Sequence, residues 1–213
     1  MNEFKKRLLT SIIVTPLALF FVIKGHFFFI FFLCTILVIS IYEWSRLSKN
    51  LYFFKVLGIV FVILSIYSAY LLRKEQGYLF FFFIISISIL SDLGGYFFGK
   101  LFNGPKLTKI SPNKTYSGVF GSFLFSIMGG LFLMKSFFIS LTLSNGLIEI
   151  CLIILSISLV SQLGDLIISY FKRKSKIKDT GKILPGHGGL LDRIDGIIFS
   201  VPYSYIVFNY LFH

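Results

Sequence analysis

Apolar residues run along this chain in long blocks separated by short polar connectors, without the alternating period of half-buried strands or the single apolar stripe of surface helices. Runs such as Phe27-Phe28-Phe29 and Phe80 to Phe83 are apolar on every side of a helix, the pattern of a lipid-facing segment. A bilayer core takes roughly 20 apolar residues per helix. By that measure the chain divides into seven spans, about 8–24, 26–42, 51–72, 78–99, 116–138, 147–171 and 191–211. Lys24-Gly25-His26 leaves a very tight turn between the first two, which a re-entrant hairpin would also satisfy. The predicted fold is all-α: a polytopic integral membrane helix bundle of about seven transmembrane helices. It forms one membrane domain over 1–213, with N-terminal spans in 1–90 and a last span at 191–211. No soluble domain and no internal repeat interrupts it.

Composition agrees. The chain is 56% hydrophobic and 14% charged, with 28 Phe and a mean hydropathy of +0.86. A soluble domain carries about 25% charged residues, so too little polar surface exists here to cover a water-facing globule. The net charge of +12 admits nucleic acid, anionic lipid or a phosphorylated substrate as a partner. Nucleic acid is excluded because the basic residues lie in short loops between apolar spans. Those loops also set orientation. With the N-terminus inside, seventeen lysines and arginines face the cytoplasm and four (Lys24, Arg73, Lys74 and Lys135) face out. The reading is therefore N-in/C-out, with the polar loops 100–115 and 172–190 cytoplasmic. Met1 to Arg7 is basic and precedes an apolar run, as in a signal peptide. More apolar spans follow at once, so it reads as a retained first helix. Cys34 and Cys151 lie inside apolar spans and lack metal-ligand spacing.

Against this background the acids stand out, because a charge within a span costs about +2.5 to +3.5 kcal/mol. Asp92 lies near the end of the fourth span, and Ser88, Asp92, Gly95 and Gly99 fall on one helical face. A small-residue packing face with one snorkelling acid explains that pattern as well as a polar site does. Asp165 shares a face with Gln162 and Ser169, which is consistent with a site or with a satisfied interhelical hydrogen bond. Asp192 and Asp195 lie three apart and, if helical, project to one side at the start of the last span. The helix dipole, or pairing of Asp192 with Arg193, would account for them too. Asp165, Asp192 and Asp195 fall at similar depth, where like charges repel unless a cation neutralises them. Carboxylates with no His-Cys cluster point to Mg²⁺ rather than Zn²⁺. Between the acids, Lys178 to Gly189 holds four glycines within nine residues, Gly181 to Gly189. Such a loop allows close backbone approach to an anion, although it is neither a P-loop nor a dinucleotide fingerprint.

These residues form a recognisable series. Ser169-Tyr-Phe-Lys172-Arg173, Lys178-Asp179, Pro185-Gly186-His187-Gly188-Gly189 and Asp192-Arg193-Ile-Asp195 together resemble the signature of the phosphatidate cytidylyltransferases, or CDP-diacylglycerol synthases. Ser91-Asp92 through Gly99-Lys100, Ile110-Ser111-Pro112-Asn113-Lys114-Thr115 and Ser161-Gln162-Leu-Gly164-Asp165 are similar to that family's other motifs. The likeness covers roughly 91–196. Ser117 departs from it, standing where the family usually has Glu, and the chain is shorter than typical bacterial members.

The resemblance implies transfer of the cytidylyl group of CTP to phosphatidate at the cytoplasmic face of the inner membrane, in phospholipid biosynthesis. It makes 91–196 the catalytic core. It assigns catalysis to Asp165, Asp192, Lys172, Arg173, Lys178, Asp179, His187 and Arg193. Substrate binding falls to Ser111, Lys114, Gln162, Asp92, Gly186, Gly188 and Gly189. Asp165, Asp192 and Asp195 become Mg²⁺ ligands, with room for a second cation. The implied partners are CTP and phosphatidate in the bilayer, and a homodimer is compatible with it. A CTP-dependent lipid-alcohol kinase, an ion-coupled transporter using Asp92 and Asp165, and an inactive homologue are the competing readings.

Overall fold

The computed structural model describes residues 3–49, 51–108, 111, 114–136, 146–186 and 188–212. The elements among them are α1 (Glu3–Lys24), α2 (His26–Leu47), α3 (Tyr52–Phe102), α4 (Tyr116–Ser136), α5 (Leu147–Lys174), α6 (Leu191–Ile194) and α7 (Ile197–Phe212). Five of them, α1 to α5, are long and apolar enough to cross a bilayer. Their large apolar side chains stay exposed in number, Ile12 at 62%, Phe53 at 71% and Phe132 at 68% among them. An apolar surface of that kind is a lipid face. The all-α polytopic membrane architecture expected above is the one observed.

Two boundaries differ from expectation. The expected spans 51–72 and 78–99 are two helices that meet at a kink within α3, and the first of them continues through the charged stretch Arg73-Lys74-Glu75. Arg, Lys and Glu are good helix formers, so charge alone does not end a helix. The break comes at Gly77, with φ 85° and ψ 171°. The last span is also divided. Asp195 accepts a hydrogen bond from the Gly196 N–H at 2.9 Å, and the apolar helix starts only at Ile197. Asp192 and Asp195 therefore do not share a helix. Asp192 sits in the one-turn α6, outside the apolar α7.

The chain forms two compact units. One comprises residues 1–70 and 171–194, the other 71–170 and 195–213.

In the first unit, α1 and α2 are antiparallel across the single residue Gly25, whose φ of 68° suits glycine. Phe21 stacks on Phe32 at 5.6 Å, and Phe20 meets Phe28 edge-on at 5.7 Å. Each helix has 22 residues, about 33 Å at 1.5 Å per residue, so each can cross the bilayer instead of turning back within it. At the far end of α2, buried Trp44 packs edge-on against Phe171 at 4.9 Å. Its indole N–H is shared between the carbonyls of Phe54 and Lys55, each at 3.2 Å.

In the second unit, small residues let helices approach closely, as packing without a hydrophobic drive requires. A Cβ at Gly94 or Gly121 would strike the other helix's backbone, and one at Gly118 would strike the Gly95 carbonyl. Buried hydroxyls join the helices: Ser88 to Ser200 at 2.8 Å, Ser91 to Ser158 at 2.9 Å, and Ser122 to the Ser91 carbonyl at 2.7 Å. Phe80 and Phe208, perpendicular at 4.5 Å, and the fully buried Ile84, Ile87 and Ile157 fill the core.

Candidate active site

The glycine-rich loop of the first unit is held at two levels. Towards its tip Leu184 and Gly188 pair, the Leu184 N–H donating to the Gly188 carbonyl at 3.0 Å. Gly186 (φ 79°) and Gly188 (φ 88°) supply the left-handed backbone this requires. From α1, the Arg7 Nε donates to the Gly186 carbonyl and the Thr10 hydroxyl to the Pro185 carbonyl, both at 2.8 Å.

At its base two carboxylates grip the loop. Asp192 Oδ2 accepts from the N–H groups of Thr180 (2.8 Å) and Gly189 (3.0 Å), while Oδ1 accepts from the Lys172 ammonium at 2.9 Å. The Asp192 and Lys172 side chains are only 7% and 13% exposed. Burial pushes the Asp192 carboxyl upward. Lys172 and the two backbone N–H groups pull it further down, so it titrates below the ordinary value of 3.8. The second carboxylate is Glu43 of α2, fully buried. It accepts from the Thr180 hydroxyl at 2.8 Å, the Leu190 N–H at 3.0 Å and the Leu191 N–H at 2.8 Å. A Cβ at Gly181 or Gly189 would enter the space of the Glu43 carboxylate, so these two glycines serve its close approach.

Around this base Arg173, Lys178, Asp179, Lys182 and Arg193 are exposed. Lys172 is instead tied to Asp192. Asp179 lies beside Gly188, where an added Cβ would stand 3.4 Å from its own Cβ. His187 lies outside the described residues.

The second unit holds a separate cluster. Lys114 is fixed through its backbone: the Leu107 N–H donates to the Lys114 carbonyl at 2.8 Å, and the Lys114 N–H donates to the Ser111 carbonyl at 3.0 Å. The Lys114 ammonium lies 2.6 Å from Asp165 Oδ2 and donates to the Gln162 carbonyl at 3.4 Å. Ser169 donates to Asp165 Oδ1 at 3.2 Å. Asp92 lies within the electrostatic reach of both Asp165 and Lys114. The structure thus brings together Asp92, Ser111, Lys114, Gln162 and Asp165, five of the residues singled out in the sequence. Ser117 sits beside them, its hydroxyl 3.0 Å from that of Thr115, which caps α4 by accepting from the Gly118 N–H at 3.1 Å.

Among the described residues, no three or more His, Cys, Asp or Glu side chains gather as a metal cage would need. Of the three expected ligands, Asp165 and Asp195 belong to the second unit and Asp192 to the first. Mg²⁺ is usually held by one or two carboxylates together with substrate phosphates, and in the second unit Asp165 presents such a carboxylate, with Lys114 and Ser169 on its oxygens. Glu43, Arg7 and Thr10 escaped the sequence reading. The available signal was a lone acid ending an otherwise apolar run, in Tyr42-Glu43-Trp44.

Residues 50–211 match the profile of the cytidylyltransferase family. The chain is similar to the phosphatidate cytidylyltransferase of Rickettsia bellii, 32% identical over 211 residues that cover 94% of this chain and 89% of that protein. The protein of the same name from Staphylococcus epidermidis is 39% identical over 166 residues, covering 75% and 62%. That from Brucella suis is 37% identical over 152 residues, covering 70% and 54%. The chain spans about half the length of the Brucella relatives it matches.

Proposed function

The chain belongs to the cytidylyltransferase family, and on that premise we propose that it transfers the cytidylyl group of CTP to phosphatidate, giving CDP-diacylglycerol and pyrophosphate. The observation that carries this reading is the alignment with the Rickettsia bellii protein along nearly the whole of both chains. The workplace is the bacterial inner membrane, where a multi-pass bundle meets phosphatidate in the bilayer and CTP from the cytoplasm.

A phosphate oxygen of phosphatidate attacks the α-phosphorus of CTP. One P–O bond forms, the bond from that phosphorus to the bridging oxygen of the β-phosphate breaks, and pyrophosphate departs with that oxygen. Such a reaction asks the protein for positioning and charge neutralisation more than for covalent chemistry. The exposed cations Arg173, Lys178 and Arg193 suit the nucleotide phosphates, and the glycines 186, 188 and 189 give a backbone that a phosphate can approach. Asp179 and His187 are assigned to the same loop. Lys114 is assigned to a substrate phosphate, and Ser111, Gln162 and Asp92 to its surroundings. Lys172 holds Asp192 ionised and in place. We assign Asp165 and Asp195 in the second unit, and separately Asp192 in the first, to Mg²⁺ held together with substrate phosphates, with a second cation served by the same donors. The ion would supply positive charge to the departing pyrophosphate.

Labelled CTP tests the reading. With purified protein, phosphatidate and Mg²⁺, label at the α-phosphorus should enter the lipid phase, and label at the γ-phosphorus should leave in pyrophosphate. Transfer of the γ-label to a lipid alcohol would instead identify a kinase. No CTP-dependent labelling of lipid would overturn both.

A further inference from the structure

We propose that Glu43 is a positioning residue for the reaction: it ties Thr180 to Leu190 and Leu191, on the two sides of the glycine-rich loop, and thereby sets the affinity for the nucleotide. This inference rests on the cytidylyltransferase reading above and deepens it.

Glu43 lies in α2, ahead of the segment that matches the family profile from residue 50. It is 0% exposed, and among the described residues its hydrogen-bond partners are three neutral donors of the loop. A buried carboxylate is costly unless its oxygens are filled, and here, among the described residues, they are filled by the element it would organise. Oε1 accepts the Leu190 N–H, and Oε2 accepts both the Thr180 hydroxyl and the Leu191 N–H. Thr180 and Leu190 flank the glycine turn on either side, so one side chain ties its two ends together. Asp192 ties nearly the same two ends through the N–H groups of Thr180 and Gly189. Gly181 and Gly189 lack the Cβ that would keep the Glu43 carboxylate out. The loop backbone is shaped around this acid.

Glutamine at this position has nearly the same size but only one acceptor oxygen. If that oxygen replaces Oε2, the amide NH₂ faces the Leu190 N–H, donor against donor. The loop then opens for part of the time, and apparent nucleotide affinity falls with the fraction of closed loop. Full-length protein in detergent micelles should show this in two readouts. In steady-state assays Glu43→Gln should raise KM for CTP about tenfold or more, and change KM for phosphatidate less than threefold. In a second readout, which needs no turnover, trypsin should cut at the exposed Lys178 and Lys182 about tenfold faster in Glu43→Gln than in wild type. Glu43→Asp keeps the charge and both oxygens and should recover part of each effect. Unchanged trypsin sensitivity and unchanged KM for CTP in Glu43→Gln would overturn the proposal. Equal rises in both KM values with no change in loop cleavage would overturn it too. A wild-type protein that makes no CDP-diacylglycerol would remove the cytidylyltransferase reading, and loop cleavage would still decide whether Glu43 holds the loop.

Discussion

Replacing Asp192 by Asn tests the two-carboxylate grip quantitatively, because the amide keeps the size of the side chain while changing one bond. Its oxygen can still accept the N–H groups of Thr180 and Gly189. Its NH₂ must then face the Lys172 ammonium, which now donates to Oδ1 at 2.9 Å. A charge-assisted hydrogen bond contributes about 1.5–3 kcal/mol. Little solvent screening applies, since the two side chains are 7% and 13% exposed. For a chain of this length the loss corresponds to a fall in Tm of about 3–12 °C. Trp44 is the single tryptophan and lies 4.9 Å from Phe171, the neighbour of Lys172, so its fluorescence reports on this unit. Unfolding followed by that signal should give a coupling of about 1–3 kcal/mol between Lys172→Met and Asp192→Asn. The double variant should be less destabilised than the sum of the singles, because it also removes the donor–donor conflict. Additive effects, or a Tm for Asp192→Asn within 1 °C of wild type (about 0.3–0.5 kcal/mol), would refute the reasoning.

Four further outcomes follow from the same contacts. Because the Asp192 carboxyl titrates below its ordinary value when folded, its contribution is complete above the unfolded value of about 3.9 and is lost as pH falls through the lower folded value. The Trp44-detected stability should therefore drop more steeply below about pH 4 in wild type than in Asp192→Asn, and identical acid limbs would count against it. Gly189→Ala places a methyl group in the space of Thr180 and Glu43, and should cost about 1–3 kcal/mol of stability and most of the activity; a wild-type Tm would contradict the packing. Lys114→Met leaves Asp165 without its partner at 2.6 Å and should lower turnover at least tenfold, about 1.4 kcal/mol of barrier, as measured by CDP-diacylglycerol formation. Cysteines introduced in loops 100–115 and 172–190 should resist an impermeant maleimide added outside intact cells, whereas labelling of both from outside would reverse the N-in/C-out orientation.

Long-range information separates what the sequence disclosed from what it hid. Helices α1, α2, α4 and α5 and the two halves of α3 follow directly from long apolar runs, and the α1–α2 turn follows from Gly25. Gly77 ends the helix, not the charges before it, because Arg73, Lys74 and Glu75 favour helix and carry no backbone break. Asp195-Gly196 interrupts the last span because an aspartate beside a glycine can take up a neighbouring N–H locally. The cluster of Asp165, Gln162 and Lys114 was legible as a set of polar residues where lipid was expected. The direct Lys114–Asp165 pair, 51 positions apart, was not. Glu43 is the instructive omission. Its partners lie 137 to 148 positions away, and in sequence it reads as the first residue of a polar connector. The glycines suggested close approach to an anion, and at 181 and 189 the anion they admit is the protein's own carboxylate.

The central claim is that this chain joins CTP to phosphatidate. Its most direct test is mass-spectrometric detection of lipid products after purified, full-length protein in phosphatidate-containing proteoliposomes meets CTP and Mg²⁺. The account predicts CDP-diacylglycerol and pyrophosphate in equal amounts, sharply reduced in Asp165→Asn. Intact phosphatidate and CTP after prolonged incubation with folded wild-type protein would contradict it.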